Sequence, residues 1–460
     1  MNSLPLFFWY IACFPTSAAI AWSRLRPGPL RAQGWPFLVF VLLEGLHRAS
    51  VDKSLAGALG MGLSFALGYV GWMLIGLRMP WPTSLVLAVS QLSAWLVFSA
   101  GVWMLWRLPF PLDVFGIACW GTFVFWLEWT LLPLWGTAQN FASAEPKGQG
   151  FIPLVGTSGG VWSLLMGSAA LALLQAISSA TAHVWPILGG VVLLLTIGFF
   201  LNAILSHFPS PRSLRVATFG WAGAQLDGAL PLPVEFQNAA RQASEQGARL
   251  LVTPEAAVSV HDRAHFRVAL CTLAQRYDLA LAIGYFDHAK NENCIQFVSN
   301  KGEVVGRYVK THLVPVFERY NRGKGDIALM EVDGVKVGGL ICQDDNFPDI
   351  ARRYGRAGAQ LLAVPTHDWR RVKDVHFQNH RWRALENRFA LARAAFDGVS
   401  ALTSCDGQVV AQSDHFSNET RLLVADVRVG TGRPTLYART GDWFPVVCGI
   451  VALVGLWWTR

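Results

Sequence analysis

The sequence predicts two joined architectures, a multi-span α-helical membrane domain and a layered α/β domain. Three observations predict this. Residues 1–208 are nearly free of Asp and Glu and consist of successive apolar stretches. Residues 209–442 have ordinary charge content, and strand-like runs alternate there with helix-like ones. A last apolar run, 443–459, follows. The predicted division is therefore a membrane domain over 1–208 with about seven spans, a globular domain over 209–442, and a final span within 443–460.

Composition agrees with this split. The chain has 460 residues, too many for one ordinary core. It is 53% hydrophobic and 15% charged, against about 25% charged in a soluble protein. Mean hydropathy is +0.35. The formal charge of +8 is dispersed with no basic run, which excludes a nucleic-acid partner and fits attraction to anionic headgroups. Seven cysteines occur without CxxC or metal-ligand spacing. Cys13, Cys119 and Cys448 lie in apolar segments, and Cys271, Cys294, Cys342 and Cys405 in the globular part.

Taken in order, the apolar stretches are 4–22, 35–48, 55–77, 83–106, 111–135, 153–180, 185–206 and 443–459. A span needs about 20 apolar residues, so 35–48 is the short one. This predicts about eight transmembrane helices. Arg48, Lys53, Arg107 and Arg460 would share one face, and Arg24, Arg26, Arg31, Arg78 and Lys147 the other, so basic residues select no orientation. Glu44, Asp113 and Glu128 fall in or near apolar stretches. There an acid usually faces a bundle interior, and Glu128 reads as a hydrogen-bond anchor between helices.

In the globular part, strand-like runs are expected at 214–220, 249–254, 279–285, 294–299, 304–309, 335–341, 360–365 and 399–404. Helices are expected at 234–245, 263–277, 348–357 and 372–396. Alternation with inserted hairpin-like pairs predicts sheets covered by helices.

The candidate chemistry lies at the ends of these strands. Glu255 closes Leu251-Val252-Thr253-Pro254-Glu255, Lys310 closes Tyr308-Val309-Lys310, and Cys342 closes Gly338-Gly339-Leu340-Ile341-Cys342. A thiol needs a base to become a nucleophile near neutral pH, and a partly desolvated carboxylate serves. Attack on a carbonyl develops an oxyanion, which an ammonium and backbone N–H groups stabilise. Taken singly, a strand-end cysteine is more often a buried small residue; the set of three points to a thiol-nucleophile site. His376 and His380 stand at i, i+4, but no Glu follows the first histidine as HExxH requires, so no metal site is expected.

The Glu, Lys, Cys order resembles the carbon–nitrogen hydrolase (nitrilase) superfamily. The flanking spans make the chain similar to its membrane-embedded branch, the apolipoprotein N-acyltransferase family. Segments carrying the resemblance are Leu127-Glu128-Trp129, Leu132 through Gln139, Lys310-Thr311-His312-Leu313-Val314-Pro315-Val316-Phe317-Glu318, Ile341-Cys342-Gln343-Asp344, Arg383 through Arg388, and Tyr437 through Trp443. The resemblance implies an αββα sandwich joined to an eight-helix membrane domain. Glu255 would be the base, Lys310 the oxyanion stabiliser and Cys342 the acyl-accepting nucleophile. Glu318, Asp344 and Trp369 would bind substrate or assist. It implies acyl transfer from a phospholipid, through a Cys342 thioester, to the α-amine of a diacylglyceryl-cysteine lipoprotein, with no metal or cofactor. It also implies a bacterial inner membrane, with the globular domain facing the periplasm. Gln343-Asp344 stands where the family has Tyr-Glu, and Thr366-His367-Asp368-Trp369-Arg370-Arg371 where it has Asn-Asp-Ala-Trp-Phe-Gly. Two other readings use the same residues: a membrane-tethered amidase in which water resolves the thioester, and a non-catalytic membrane protein with a degenerate domain.

Overall fold

The computed structural model describes residues 6–25, 35–77, 81–109, 112–133, 136, 152–158, 166, 212–220, 232–416 and 421–460. The chain divides into two compact units. One comprises Met1–His207 with Asp442–Arg460, the other Phe208–Gly441.

The first unit is helical. Its helices include α1 (Leu6–Leu25), α2 (Trp35–Val51), α3 (Leu55–Leu77), α4 (Trp81–Leu105), α5 (Leu112–Leu131) and a C-terminal helix, Trp443–Trp458. Among the described residues, three segments are long and apolar enough to cross a membrane: Leu55–Ile75, Pro82–Leu105 and Leu112–Leu131. The stretch expected at 35–48 is a helix of 17 residues, and the C-terminal helix has 16. Most of the stretches expected at 153–180 and 185–206 lies outside the described residues. Helix α3 packs on α1 and α4, and α5 on α4 and the C-terminal helix. Polar side chains tie these helices together. Ser90 and Gln91 of α4 donate to Glu128 of α5, so Glu128 anchors two helices. Glu44 accepts from Arg48 one turn on at 3.0 Å.

Two mixed sheets build the second unit. The first runs β13-β1-β2-β4-β5-β6, with β3 (Val258–Val260) beside β4. It contains β1 (Ser213–Phe219), β2 (Leu250–Val252), β4 (Ala280–Asp287), β5 (Glu292–Val298), β6 (Val304–Val309) and β13 (Leu422–Arg428). The second runs β12-β11-β10-β9-β8-β7. It contains β7 (Met330–Val332), β8 (Val335–Gly339), β9 (Leu361–His367), β10 (Ala390–Phe396), β11 (Val399–Thr403) and β12 (Val409–Asp414). In each sheet three central strands are parallel (β1, β2, β4; β8, β9, β10), β3 runs parallel to β4, and the other strands pair antiparallel.

Alternating side chains explain the layers. One buried cluster joins Val216, Leu250, Val252, Ile295 and Phe297 of the first sheet to Val337, Leu361 and Leu391 of the second, so the sheets pack face to face. Behind the first sheet, Leu251, Leu281 and Ile283 meet Phe236, Ala240, Phe266 and Leu270 from α6 (Val234–Glu245) and α7 (Arg263–Tyr277). Helices α8 (Pro348–Arg356) and α9 (Lys373–Asn387) pack on the second sheet. Gly338 and Gly339 serve both faces of β8. A Cβ on Gly338 would meet the Tyr354 ring of α8 at 2.3 Å, and one on Gly339 would meet Ile295 of the opposite sheet at 2.7 Å.

The helix expected over 372–396 is two elements. It stops at Asn387, with Arg388 left-handed (φ 54°) as its cap, and residues 390–396 form β10. Alanine-rich Ala390–Phe396 favours helix locally, but full parallel pairing with β9 overrides that preference. Strands β3, β7, β12 and β13 were not foreseen. β3 and β7 have three residues each, and β12 and β13 border the sheets with polar residues interleaved.

Candidate active site

Glu255, Lys310 and Cys342 all follow the C-terminal ends of strands. In open α/β sheets, the space beyond the carboxyl ends of parallel strands is where ligands bind. Glu255 lies three residues past β2 and is 7% exposed. Gly284 makes its position possible, because a Cβ there would stand 2.0 Å from the Pro254 carbonyl oxygen. Lys310 follows β6 and is fully buried. Its N–H donates to Asn293 O (2.9 Å), and its carbonyl accepts from Gly323 N (2.7 Å). Cys342 follows β8 and opens a 3₁₀ turn, Cys342–Asn346, with φ at +44°. A left-handed conformation is uncommon for a non-glycine residue and clusters at functional sites.

One ammonium joins two carboxylates. Lys310 Nζ donates to Glu255 Oε1 at 2.7 Å and to Glu318 Oε1 at 2.6 Å. Asn293 Nδ2 donates to Glu255 Oε1 (2.7 Å) and to the Tyr320 hydroxyl (3.0 Å). Glu318 Oε2 accepts from Val314 N at 2.7 Å, which folds the 310–318 loop back on itself. A single residue links Glu255 to Cys342: His367 donates its backbone N–H to Glu255 Oε2 (2.9 Å) and accepts the Cys342 thiol on its carbonyl (3.4 Å).

Burial and charge set the protonation of the group. Burial, reinforced by the Glu255 charge, pushes the Cys342 thiol well above its ordinary value, with Lys310 opposing. Cys342 therefore rests as a thiol. Burial works against a charged Lys310. The carboxylates of Glu255 and Glu318, with Cys342 and Tyr320, outweigh it and hold the ammonium well above its usual range. Glu318 is raised by burial, against the pull of Lys310. An ammonium that bridges two glutamate side chains thus lies near a protonated thiol, a set of groups that general-base chemistry can use.

Asp344 and Trp369 stand differently. Asp344 is fully buried and faces backbone. Its carboxylate accepts from Tyr308 OH (2.8 Å), His312 N (2.7 Å), His312 Nδ1 (3.0 Å), Thr311 N (3.1 Å) and Ile341 N (3.2 Å). It fastens the loop bearing Lys310 and Glu318 to the turn that Cys342 opens. Trp369 is partly buried, with its ring 5.9 Å from that of Phe317. Phe317 and Val316, next to Glu318, are 55% and 49% exposed, which leaves an apolar lip.

The sequence does not mark Asn293, Tyr320 or Arg393, which stand alone in it, and gives His367 and Asp368 no role although the 366–371 segment departs from the family; the fold brings all five together from separate strands and loops. Cys342, Asp368 and His376 offer ligand atoms within 4.8 Å of one another. Those atoms are engaged already. His376 Nδ1 lies 2.6 Å from Asp368 Oδ1 and Nε2 3.1 Å from the Cys342 carbonyl, while Asp368 Oδ2 accepts from Arg393 at 2.7 Å. His380, one turn on, faces Asp345 at 2.8 Å. A metal at this group would have to displace those bonds.

Residues 232–437 match the carbon–nitrogen hydrolase family. The apolipoprotein N-acyltransferase of Geobacter metallireducens is 28% identical over 244 residues, 46% of this chain and 46% of that protein. The "hydrolase in pqqF 5'region" of Pseudomonas protegens is 32% identical over 156 residues, 31% of this chain and 55% of that protein. Apolipoprotein N-acyltransferase 1 of Treponema denticola is 30% identical over 175 residues, 32% of each chain. The chain thus spans about half the length, or less, of these curated relatives. Glu255, Lys310, Glu318 and Cys342 all fall inside the matched residues 232–437.

Proposed function

We propose that the protein is a membrane N-acyltransferase that moves an acyl chain from a phospholipid, through a thioester on Cys342, to the N-terminal amine of a diacylglyceryl-cysteine lipoprotein. The observation that carries this is the buried junction at Lys310, whose ammonium lies 2.7 Å from Glu255 and 2.6 Å from Glu318 and acts on the Cys342 thiol. Among the described residues, three helices apolar enough to cross a membrane support it, as do two relatives named N-acyltransferases.

In the first half-reaction Glu255 takes the Cys342 thiol proton as sulfur attacks the ester carbonyl. The Lys310 ammonium stabilises the oxyanion. The C–O bond breaks, and the leaving lysophospholipid oxygen takes the proton back from Glu255. In the second, the acceptor amine attacks the thioester and gives a proton to Glu255. The C–S bond breaks, Cys342 recovers that proton, and an amide is released. Glu318 keeps Lys310 charged and aimed. Phe317 and Trp369 give the donor chain an apolar contact. In this reading 1–208 and 443–460 are the membrane part, the membrane is a bacterial inner membrane, and domain 209–442 faces the periplasm. Neither half-reaction needs a metal or a cofactor.

A hydrolytic reading, with water resolving the thioester, is favoured by the relative named a hydrolase. Intact-mass spectrometry of the purified chain after incubation with phospholipid tests both. A fatty-acyl increment on wild type and none on Cys342→Ala is expected. A diacylglyceryl-cysteine peptide should then discharge it as an N-acylated product. Discharge to free fatty acid at the same rate with and without peptide selects the hydrolase. A folded wild type that acquires no increment overturns the acyltransferase.

A further inference from the structure

Cys342 pays for its position with a left-handed backbone, φ +44°, an arrangement that persists only where its surroundings over-determine it. What surrounds it is a buried polar chain that the two half-reactions leave unused. His376, 4% exposed on α9, sets Nε2 3.1 Å from the Cys342 carbonyl oxygen. Its Nδ1 lies 2.6 Å from Asp368 Oδ1 and 3.2 Å from Arg393. Asp368 Oδ2 accepts from Arg393 at 2.7 Å. Arg393, fully buried on β10, also donates to Val399 O (3.1 Å) and to Asp345 (3.4 Å) in the nucleophile turn. Arg393 and Asp368 thus hold the ring from behind, and its front nitrogen faces one carbonyl oxygen. Asp368 itself has little freedom, since a Cβ on Gly398 would lie 2.5 Å from its Oδ2.

That carbonyl is half of a peptide unit. In a trans peptide the C=O and the following N–H point in opposite directions within one plane. Holding the Cys342 carbonyl therefore fixes the direction of the Gln343 N–H and the backbone rotation that aims Cys342 Sγ. We propose that His376 is a positioning residue, which locks the Cys342–Gln343 peptide so that the nucleophile keeps its attack geometry. This rests on reading Cys342 as the nucleophile. Asp368 and Arg393 act one step further back, through His376.

The test uses the full-length chain in phospholipid nanodiscs with His376→Ala, His376→Gln and His376→Asn. A glutamine amide nitrogen reaches where Nε2 stands, and an asparagine reaches only the Nδ1 position. Two rates are read, thioester formation on Cys342 at saturating phospholipid and labelling of Cys342 by iodoacetamide at pH 8. One lost hydrogen bond with a small displacement of the reacting atom predicts about a 10- to 100-fold slower thioester rate in His376→Ala, with the half-saturating phospholipid unchanged. The labelling rate should change with it. His376→Gln should recover most of both rates, and His376→Asn should not. The proposal is overturned if folded His376→Ala forms the thioester and labels at wild-type rates. It is also overturned if the Gln and Asn variants are equally impaired in proportion to their melting temperatures. A wild type that forms no thioester sinks the acyltransferase reading instead, and the labelling comparison still decides the role of His376.

Discussion

Replacing Lys310 with methionine keeps much of the side-chain volume and leaves Glu255 and Glu318 without the ammonium they share. At an effective dielectric of about 20, an ammonium 2.7 Å from a carboxylate gains about 6 kcal/mol of gross attraction. The variant does not lose that much, because one carboxyl can take up a proton. At pH 8 that escape costs about 1.4 kcal/mol for each unit above the ordinary glutamate value near 4.3, or about 5 kcal/mol. Breaking a buried pair costs about 3–5 kcal/mol, so the two arguments agree. At pH 5 the same escape costs only about 1 kcal/mol. The buried carboxyl of the variant has a raised folded-state value, so its stability is retained at low pH and lost as pH rises past the unfolded value. For a domain of this size each kcal/mol moves the melting temperature by about 2–4 °C. The Lys310→Met deficit, followed by circular dichroism of the full-length chain, should be about 6–20 °C at pH 8 and about 2–4 °C at pH 5. Equal deficits at the two pH values would refute the reasoning, since a packing defect has no such dependence.

Glu255→Gln should leave a folded protein that forms no thioester, at a stability cost of about 1–3 kcal/mol. Its amide would have to face the donors Lys310, Asn293 and His367 N, and thioester accumulation by mass spectrometry at the wild-type rate would remove Glu255 from the base role. Iodoacetamide labelling of Cys342 should keep rising with pH through the ordinary thiol value of about 8.5, because burial holds the thiol above it. A labelling plateau below pH 8 would instead reveal a standing thiolate–ammonium pair. His312 is held between Asp344 (3.0 Å) and Asp349 (3.4 Å), and their hydrogen bonds outweigh burial to raise it to about 9. Its stabilisation is complete below the unfolded value of 6.5 and lost as pH rises through about 9, amounting to at most about 3 kcal/mol. Melting curves of His312→Gln should be flatter than wild type between pH 6.5 and 9, and parallel curves would deny the clamp.

Much of this protein can be read in one dimension. Apolar length and the scarcity of acids mark helical segments locally, because hydropathy needs no partner. The alternation of runs through 209–442 announces sheets with helices, since periodicity records which side of an element is buried. Gly338-Gly339 before Cys342 and the tight Lys310 to Glu318 spacing draw attention to the segments that meet in the site. Where local preference and long-range pairing disagree, the sequence misleads. Residues 390–396 read as helix and become β10, since seven cross-strand partners on β9 outweigh alanine's propensity.

The two-part plan, and a carboxyl, an ammonium and a thiol at strand ends, are legible in the order of the residues. What those groups are to each other is set by the fold. Lys310 meets Glu255 across 55 residues and Glu318 across eight, the His367 peptide reaches Glu255 across 112, and His376 reaches the Cys342 carbonyl across 34. Such contacts follow from strand order and register, which bring chain ends together in space and leave no periodic trace in the residues between. The same holds for Asp344, to which the resemblance assigns substrate binding or an assisting role and whose buried side chain the fold surrounds with Tyr308 OH and backbone N–H donors. Its role depends on how many donors converge on it, and convergence is a property of three dimensions.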